Sequence, residues 1–204
     1  APKPLRALMG AKALGKTSNG IGTQTFTFDQ VLPTTLTYFV PATATSQQSQ
    51  QQPMPVPSFL ISLVVGDLYF NDISSRCRLW SERDPLEAAV REFTEIEAYL
   101  KAAEQIMQIP YKWGRYDIVV LPGSYPFGFI ESTSLTLITP TLLAGDKSLT
   151  YLLAHAVAHG WMGSLVTNKT WEHAWLNEGF AVYLERKILG TTTLSPPQHQ
   201  QHHS

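Results

Sequence analysis

The stretch LLAHAVAHGWMGSLVTNKTWEHAWLNEGFAVYLERKILG, residues 152–190, contains two histidines one helical turn apart. His155 and His159 lie four positions apart in a segment with the apolar pattern of a helix, so their imidazoles share one face. Eighteen residues, 160–177, separate His159 from Glu178, which begins a second helical pattern. Two histidines and a carboxylate, with a fourth position open, are the ligand set of a catalytic zinc ion. This spacing predicts that the three side chains bind one zinc ion.

One position in this stretch departs from the pattern of zinc hydrolases. In the motif H-E-x-x-H, the glutamate that follows the first histidine acts as the general base. Ala156 occupies that position here. The sequence therefore predicts a metal site from which the catalytic base is missing.

The sequence around the histidines resembles a known family. The H-x-x-x-H pair, the spacing to the glutamate and the WLNEG segment are similar to those of the gluzincin zinc aminopeptidases. TPTLLAGDKSL (139–149), LVTNKTW (165–171) and VYLER (182–186) resemble the branch that contains leukotriene hydrolase and aminopeptidase B. The similarity is continuous from about Pro57 to Gly190. It implies zinc as the cofactor, a peptide or peptide-like ligand as the partner, and removal of N-terminal residues as the reaction.

The resemblance also implies a site for the substrate. Glu131, in the segment PFGFIES, aligns with the glutamate of the family's G-x-M-E-N segment, which binds the free α-ammonium group of the peptide. Gly128, Phe129 and Ile130 precede it and are expected to contact the substrate. Phe129, Ile130 and Ser132 replace the family's glycine, methionine and asparagine. Because glycine permits close approach to the backbone, we expect the phenyl ring at position 129 to restrict access.

A further glutamate is expected to support the metal ligands. Glu185 follows Glu178 by seven residues, which is two helical turns, so both side chains lie on nearly the same face. We expect Glu185 to hydrogen-bond a ligand histidine, as carboxylates commonly do around bound metals. The alternative is a solvated charge beside Arg186 and Lys187.

Composition excludes several classes of function. The net charge of −1, without blocks of like charge, argues against nucleic acid or an anionic membrane as a partner. The 204 residues contain no apolar run of membrane-spanning length, and the first residues lack the apolar core of a secretory signal. Cys77 is the single cysteine, which fits a reducing compartment. We therefore expect a cytoplasmic protein.

The order of the predicted elements indicates an α+β fold. Residues 1–83 alternate as β-strands, with a Gln/Ser-rich insertion at 46–52, and resemble the end of the family's N-terminal β domain. Residues 84–190 resemble part of a thermolysin-like catalytic domain, and residues 191–204 form a polar tail expected to be disordered. In the catalytic part we expect a mixed sheet whose edge strand carries Glu131.

Local signals set the expected limits of the helices. Asp84-Pro85 should begin one helix that ends before Pro110, because aspartate caps free amides and proline suits the first helical position. The first metal helix should begin near Asp146–Ser148, and the second should extend from Trp171 to Gly190. Trp161, Trp171 and Trp175 are expected to pack between the two metal helices.

Two hypotheses of function remain open. The first is a zinc aminopeptidase domain that binds its substrate with little turnover, because a general base typically contributes about 10²- to 10⁴-fold to the rate. The family's oxyanion-stabilising tyrosine lies downstream of Gly190, and no tyrosine follows Tyr183 in this sequence. The second is a non-catalytic, zinc-stabilised scaffold or protein-interaction subunit. Phe129 and the Gln-rich insertion favour the second hypothesis, whereas the intact ligands and the WLNEG flanks favour the first.

Overall fold

The computed structural model describes residues 5–20, 22–29 and 61–194. The predicted insertion at 46–52 and residues 195–204 of the predicted tail lie outside this part of the chain. Within the described residues, six β-strands precede two α-helices, and three further strands precede two more helices; this grouping confirms the α+β fold class.

A five-stranded mixed sheet forms the centre of the molecule. Its strands are β5 (Tyr69–Asp72), β6 (Cys77–Ser81), β7 (Tyr116–Val120), β8 (Phe129–Ser132) and β9 (Leu135–Ile138). They lie in the order β5-β6-β7-β9-β8; β6, β7 and β9 run parallel, and β5 and β8 pair antiparallel at the two edges. The edge strand β8 carries Glu131, as predicted. Strands β5 and β6 belong to this sheet although they precede the predicted domain boundary at residue 84.

Four further strands form two antiparallel ribbons outside this sheet. They are β1 (Arg6–Met9), β2 (Lys12–Ser18), β3 (Gln24–Asp29) and β4 (Leu63–Gly66). β1 pairs with β4, and β2 pairs with β3. Leu8 and Val64 of the first ribbon pack against Trp80 and Val119, so this ribbon covers one face of the central sheet.

The helices cover the opposite face of the sheet. They are α1 (Leu86–Glu92), α2 (Ile96–Met107), α3 (Tyr151–Ala158) and α4 (Ala174–Leu194). Their apolar side chains join those of the strands in one core, in which Phe93, Leu100, Leu153 and Leu184 are almost completely buried. No helix in the described residues is both long enough and apolar enough to cross a membrane.

Two predicted helix limits are wrong. The helix expected from Asp84 to Pro110 is divided between α1 and α2, because Phe93 turns into the core while Glu92 accepts backbone hydrogen bonds from Gly145 and Lys147. The second metal helix does not end at Gly190 but continues to Leu194, so residues 191–194, predicted to belong to a disordered tail, are helical. There the hydroxyls of Thr191 and Thr192 donate to carbonyls one turn earlier, which satisfies these carbonyls within the helix.

The predicted positions of the tryptophans are only partly correct. Trp161 is buried in the core, with 1% of its surface exposed. Trp171 and Trp175 are 69% and 65% exposed, so the prediction that they pack between the helices is wrong. The reason is that the buried face of α4 begins only at Ala181, beyond both of these residues.

Candidate metal centre

The two histidines extend from a helix that the core holds in place. Leu153, Ala154 and Val157 of α3 are fully buried, and alanine and leucine strongly favour the helical state. His155 lies in the helix, and His159 is its C-terminal capping residue. Their Nε2 atoms are 3.0 Å apart. The predicted i, i+4 geometry is therefore present, and both nitrogens point to one place.

Glu178, in the second turn of α4, completes a triangle of potential ligands. Its Oε2 atom lies 3.7 Å from Nε2 of His155 and 3.7 Å from Nε2 of His159. A point equidistant from three atoms at these separations lies about 2.0 Å from each. Zinc bonds to histidine nitrogen and carboxylate oxygen are about 2.0–2.2 Å long. The three atoms therefore fit a zinc ion without rearrangement.

The remaining histidine nitrogens are both hydrogen-bonded. Nδ1 of His155 lies 3.0 Å from Oε2 of the buried Glu185, and Nδ1 of His159 lies 2.8 Å from the carbonyl oxygen of Met162. Because both partners are acceptors, each Nδ1 carries the hydrogen, and each Nε2 presents a lone pair. This arrangement of donors therefore fits a metal, and it places Glu185 where the sequence predicted a supporting carboxylate.

A tight turn after α3 supplies the carbonyl of Met162. Gly163 has φ of +109°, a conformation that residues with side chains rarely adopt, and its N–H donates to Val166 at 2.6 Å. A Cβ atom on Gly163 would lie 3.4 Å from Nδ1 of His159. The role of Met162 was not predicted from the sequence, because any residue can supply a backbone carbonyl. Gly163, which permits the tight turn, is the residue that could have indicated it.

Aromatic residues hold the end of α3 against the sheet. Nε1 of Trp113 donates to the carbonyl of Gly160 at 2.8 Å, and the hydroxyl of Tyr111 donates to the carbonyl of Thr133 at 3.2 Å. Burial raises the pKa of Tyr111 well above its ordinary value, so its hydroxyl keeps its proton and remains a donor. A Cβ atom on Gly160 would lie 2.9 Å from the ring of Tyr111. The end of α3 that carries His159 is thus closely packed.

Glu131 lies near the second histidine, and Ala156 follows the first in the chain. Oε1 of Glu131 is 3.8 Å from Nε2 of His159, and 29% of its side chain is exposed. Ala156 follows His155 within α3 and is 2% exposed. Position 156 therefore brings no proton acceptor to the centre, whereas Glu131 brings a carboxylate that solvent can reach.

The other predicted substrate-binding residues point in different directions along β8. Phe129 packs against the main core, with its ring edge-on to His155 at 6.2 Å between centroids. Ile130 points to the opposite face of the sheet and packs with the second apolar cluster. The carbonyl of Gly128 accepts a hydrogen bond from the backbone of Thr139. The structure thus directs Phe129 and Glu131 towards the histidines, and Ile130 to the opposite face of the sheet.

A cavity of about 220 Å³ opens beside the ligands. Glu131, His159 and Glu178 form one side of it. The remaining lining is mostly small and polar and was not foreseen from the sequence; it comprises Ser132, Gly163, Ser164, Asn168, Trp171, Ala174 and Asn177. The cavity therefore adjoins two of the three potential metal ligands, His159 and Glu178.

Comparison with known proteins identifies the family to which this chain belongs. Residues 91–202, more than half of the chain, match the Peptidase family M1 domain. The chain belongs to peptidase family M1. It is 51% identical over 140 residues to leukotriene A-4 hydrolase of Xenopus laevis, and 46% identical over 139 residues to aminopeptidase B of Rattus norvegicus. These M1 relatives support the predicted gluzincin resemblance and a metallopeptidase ancestry.

The match covers most of this chain but a minor part of each relative. The two alignments include 69% and 68% of the chain, but only 23% and 21% of the relatives. The native structure of yeast LTA4 hydrolase superimposes with a TM-score of 0.75 at 35% identity, over 93% of the chain and 26% of that structure. The chain thus has the fold of part of an M1 peptidase and spans about a quarter of the length of its relatives.

Proposed function

We propose that this chain forms the zinc centre of an M1-type aminopeptidase and binds peptides by their N-termini, while Ala156 strongly impairs hydrolysis. The convergence of His155, His159 and Glu178 on one point carries this proposal. The homologues of the chain are M1 aminopeptidases, which supports zinc as the cofactor. Because the chain spans about a quarter of those relatives, its substrate and activity belong to the proposal.

Each residue has a separate role in this proposal. His155, His159 and Glu178 hold the zinc, and Glu185 orients His155 through Nδ1. When bound, zinc polarises the carbonyl group of the scissile peptide bond. Glu131 lies beside His159 and is partly exposed, so its carboxylate can pair with the α-ammonium group of a peptide. This pairing would select peptides with a free N-terminus.

Ala156 leaves the metal ligands unchanged but provides no general base for hydrolysis. Hydrolysis requires a group that removes a proton from the attacking water and delivers it to the leaving amine. A methyl group can do neither, and Ala156 is enclosed within α3. A positioned base contributes about 10²- to 10⁴-fold to the rate. We therefore propose that turnover is lower by about that factor than in an equivalent chain with a base.

An exposed aromatic surface favours a second candidate function. Trp171, Trp175, Phe180 and Tyr183 are each more than half exposed on α4 and the short turn before it. Exposed aromatic side chains are enriched at protein interfaces. A zinc-stabilised scaffold that contacts other proteins through α4 would use this surface and would need no base at position 156.

The test combines metal analysis with restoration of the base. The protein purified with zinc should contain one equivalent of metal, and His159→Ala should lose it. Ala156→Glu should gain hydrolysis of aminoacyl arylamides. Ala156→Gln should not, because the glutamine side chain has the size of glutamate but cannot act as a base. Thermal unfolding and zinc content would verify that both variants fold.

The outcomes separate the two functions. Activity in Ala156→Glu alone supports an aminopeptidase site that lacks its base. Bound zinc without activity in a folded Ala156→Glu variant supports the scaffold. A protein that binds no zinc contradicts the metal centre and both functions.

A further inference from the structure

We infer that the side-chain hydrogen bond between Asn177 and Asn168 positions Glu178 and thereby sets the affinity for zinc. This inference rests on the proposed zinc site. Nδ2 of Asn177 donates to Oδ1 of Asn168 at 2.5 Å, and Nδ2 of Asn168 donates to the carbonyl of Thr170 at 2.6 Å. The two amides connect the first turn of α4 to the loop before it. We call them the amide clamp.

The clamp acts where the core does not hold α4. The buried residues of α4 begin at Ala181, and Glu178 lies three positions before it with 62% of its side chain exposed. The first turns of a helix also lack intrahelical partners for their N–H groups and fray readily. The ligand therefore stands on a part of the helix that tertiary packing fixes weakly.

The clamp also connects Glu178 with the turn that orients His159. A Cβ atom on Gly163 would lie 3.4 Å from Nδ1 of His159 and 3.8 Å from Nδ2 of Asn177. The amide of Asn177 therefore stands beside the turn that orients His159. The clamp therefore lies next to the turn after α3, at the level of the metal ligands.

The three potential ligands differ in the contacts that fix the positions of their side chains. His155 and His159 each have an acceptor on Nδ1, whereas Glu178 depends on the position of its helix. Its Oε2 atom must remain near 3.7 Å from both imidazoles for one ion to reach all three atoms. Loosening the first turn of α4 widens the range of these distances. The expected result is weaker zinc binding without loss of the fold.

Both asparagines also line the cavity, so contact with a substrate is the competing role. The two roles differ in the absence of a peptide. A positioning role changes zinc affinity in the protein alone, whereas a substrate contact changes only the binding of a peptide. Zinc affinity without peptide is therefore the decisive measurement.

The experiment compares Asn168→Ala, Asn177→Ala and the double variant. Zinc affinity is measured by competition with a chromogenic chelator. Partners of metal ligands typically contribute 10- to 100-fold to affinity, and we expect about tenfold weaker binding for each single variant. The double variant should bind zinc no more weakly than Asn168→Ala, because Asn168→Ala already removes the hydrogen bond to Asn177 as well as the one to Thr170. Asn19→Ala is the matched control, since it removes amide hydrogen bonds to Thr23 and Thr25 in the β2–β3 ribbon.

A second pair of variants keeps the inference testable if the alanine variants unfold. Asn168→Asp retains the acceptor for Asn177 and loses only the donor to Thr170, whereas Asn177→Asp removes the donor of the hydrogen bond between the two residues; both changes add one negative charge. Tighter zinc binding by Asn168→Asp than by Asn177→Asp supports the clamp, and the reverse order contradicts it. Unchanged affinity in both alanine variants, while the parent binds zinc, overturns the inference alone. Absence of zinc binding in the parent overturns the metal centre as well.

Discussion

Replacement of Glu185 tests how strongly the buried carboxylate supports the metal centre. Oε2 of Glu185 lies 3.0 Å from Nδ1 of His155, and 8% of the side chain is exposed. Glu185→Gln keeps the shape of the side chain but removes its charge. The carboxylate both fixes the orientation of the ring and increases the electron density at Nε2. We therefore expect Glu185→Gln to bind zinc more weakly than the parent.

The structure limits the size of this effect. Loss of a carboxylate partner behind a metal-binding histidine typically weakens binding 10- to 100-fold, or about 1.4–2.8 kcal/mol. We expect the lower end, because the glutamine carbonyl can still accept the hydrogen of Nδ1. Glu185→Ala should reach the upper end, since it also leaves Nδ1 of His155 without its acceptor in the core.

The assay is zinc competition at pH 7, with Glu172→Gln as the matched control. Glu172 also lies near a histidine, with Oε1 3.8 Å from Nδ1 of His173, but both of these side chains are exposed, whereas His155 and Glu185 are not. The control should bind zinc as the parent does. Equal affinity in the parent and in Glu185→Ala would refute the role of the carboxylate, and equal weakening in Glu172→Gln would show a general effect of charge.

Three other predictions follow from residues around the core. Gly163→Ala should lower the free energy of unfolding by about 1–3 kcal/mol, because φ of +109° strains a residue with a side chain, and it should weaken zinc binding by displacing the ring of His159. Burial raises the pKa of the Cys77 thiol to about 12, so iodoacetamide should label Cys77 in denaturant but not in the folded protein at pH 8. The hydrogen bond from Arg76 lowers the pKa of Glu104 below its ordinary value of 4.5, so its contribution to stability is present above pH 4.5 and is lost as the pH falls through the lowered pKa. Thermal melts should therefore show a smaller loss of stability between pH 5 and 3 in Glu104→Gln than in the parent.

The sequence was sufficient for the parts of the centre that depend on local periodicity. The positions of His155 and His159 follow from the helical repeat, and the side of α4 that carries both Glu178 and Glu185 follows from a spacing of seven residues. The strand that carries Glu131 was recognisable from the turn before it and from the alternating strand after it. In each case a short segment determines the direction of the side chain.

The features that sequence reasoning missed depend on tertiary contacts. Glu92 divides the first helix by accepting hydrogen bonds from Gly145 and Lys147, more than 50 residues away. The carbonyl of Met162 lies in the turn after α3, and the amide clamp joins the loop at Asn168 to α4. Local sequence patterns specify the geometry of neither segment. Trp175 is apolar and was therefore assigned to the core, but its position before Ala181 places it on the surface. An apolar residue near a functional segment is a weak indicator of burial.

Zinc binding and hydrolysis depend on different residues of the same centre. The ligands extend from α3, which the core fixes, and from α4, which packs against α3 beyond Ala181. Zinc bound by residues of both helices would stabilise the folded state, because binding to the folded chain alone shifts the folding equilibrium. This benefit does not require a proton acceptor at position 156, and alanine there suits a buried helix. Retention of the ligands is therefore compatible with both proposed functions, and only a change that adds the base while preserving the ligands, such as Ala156→Glu, distinguishes them.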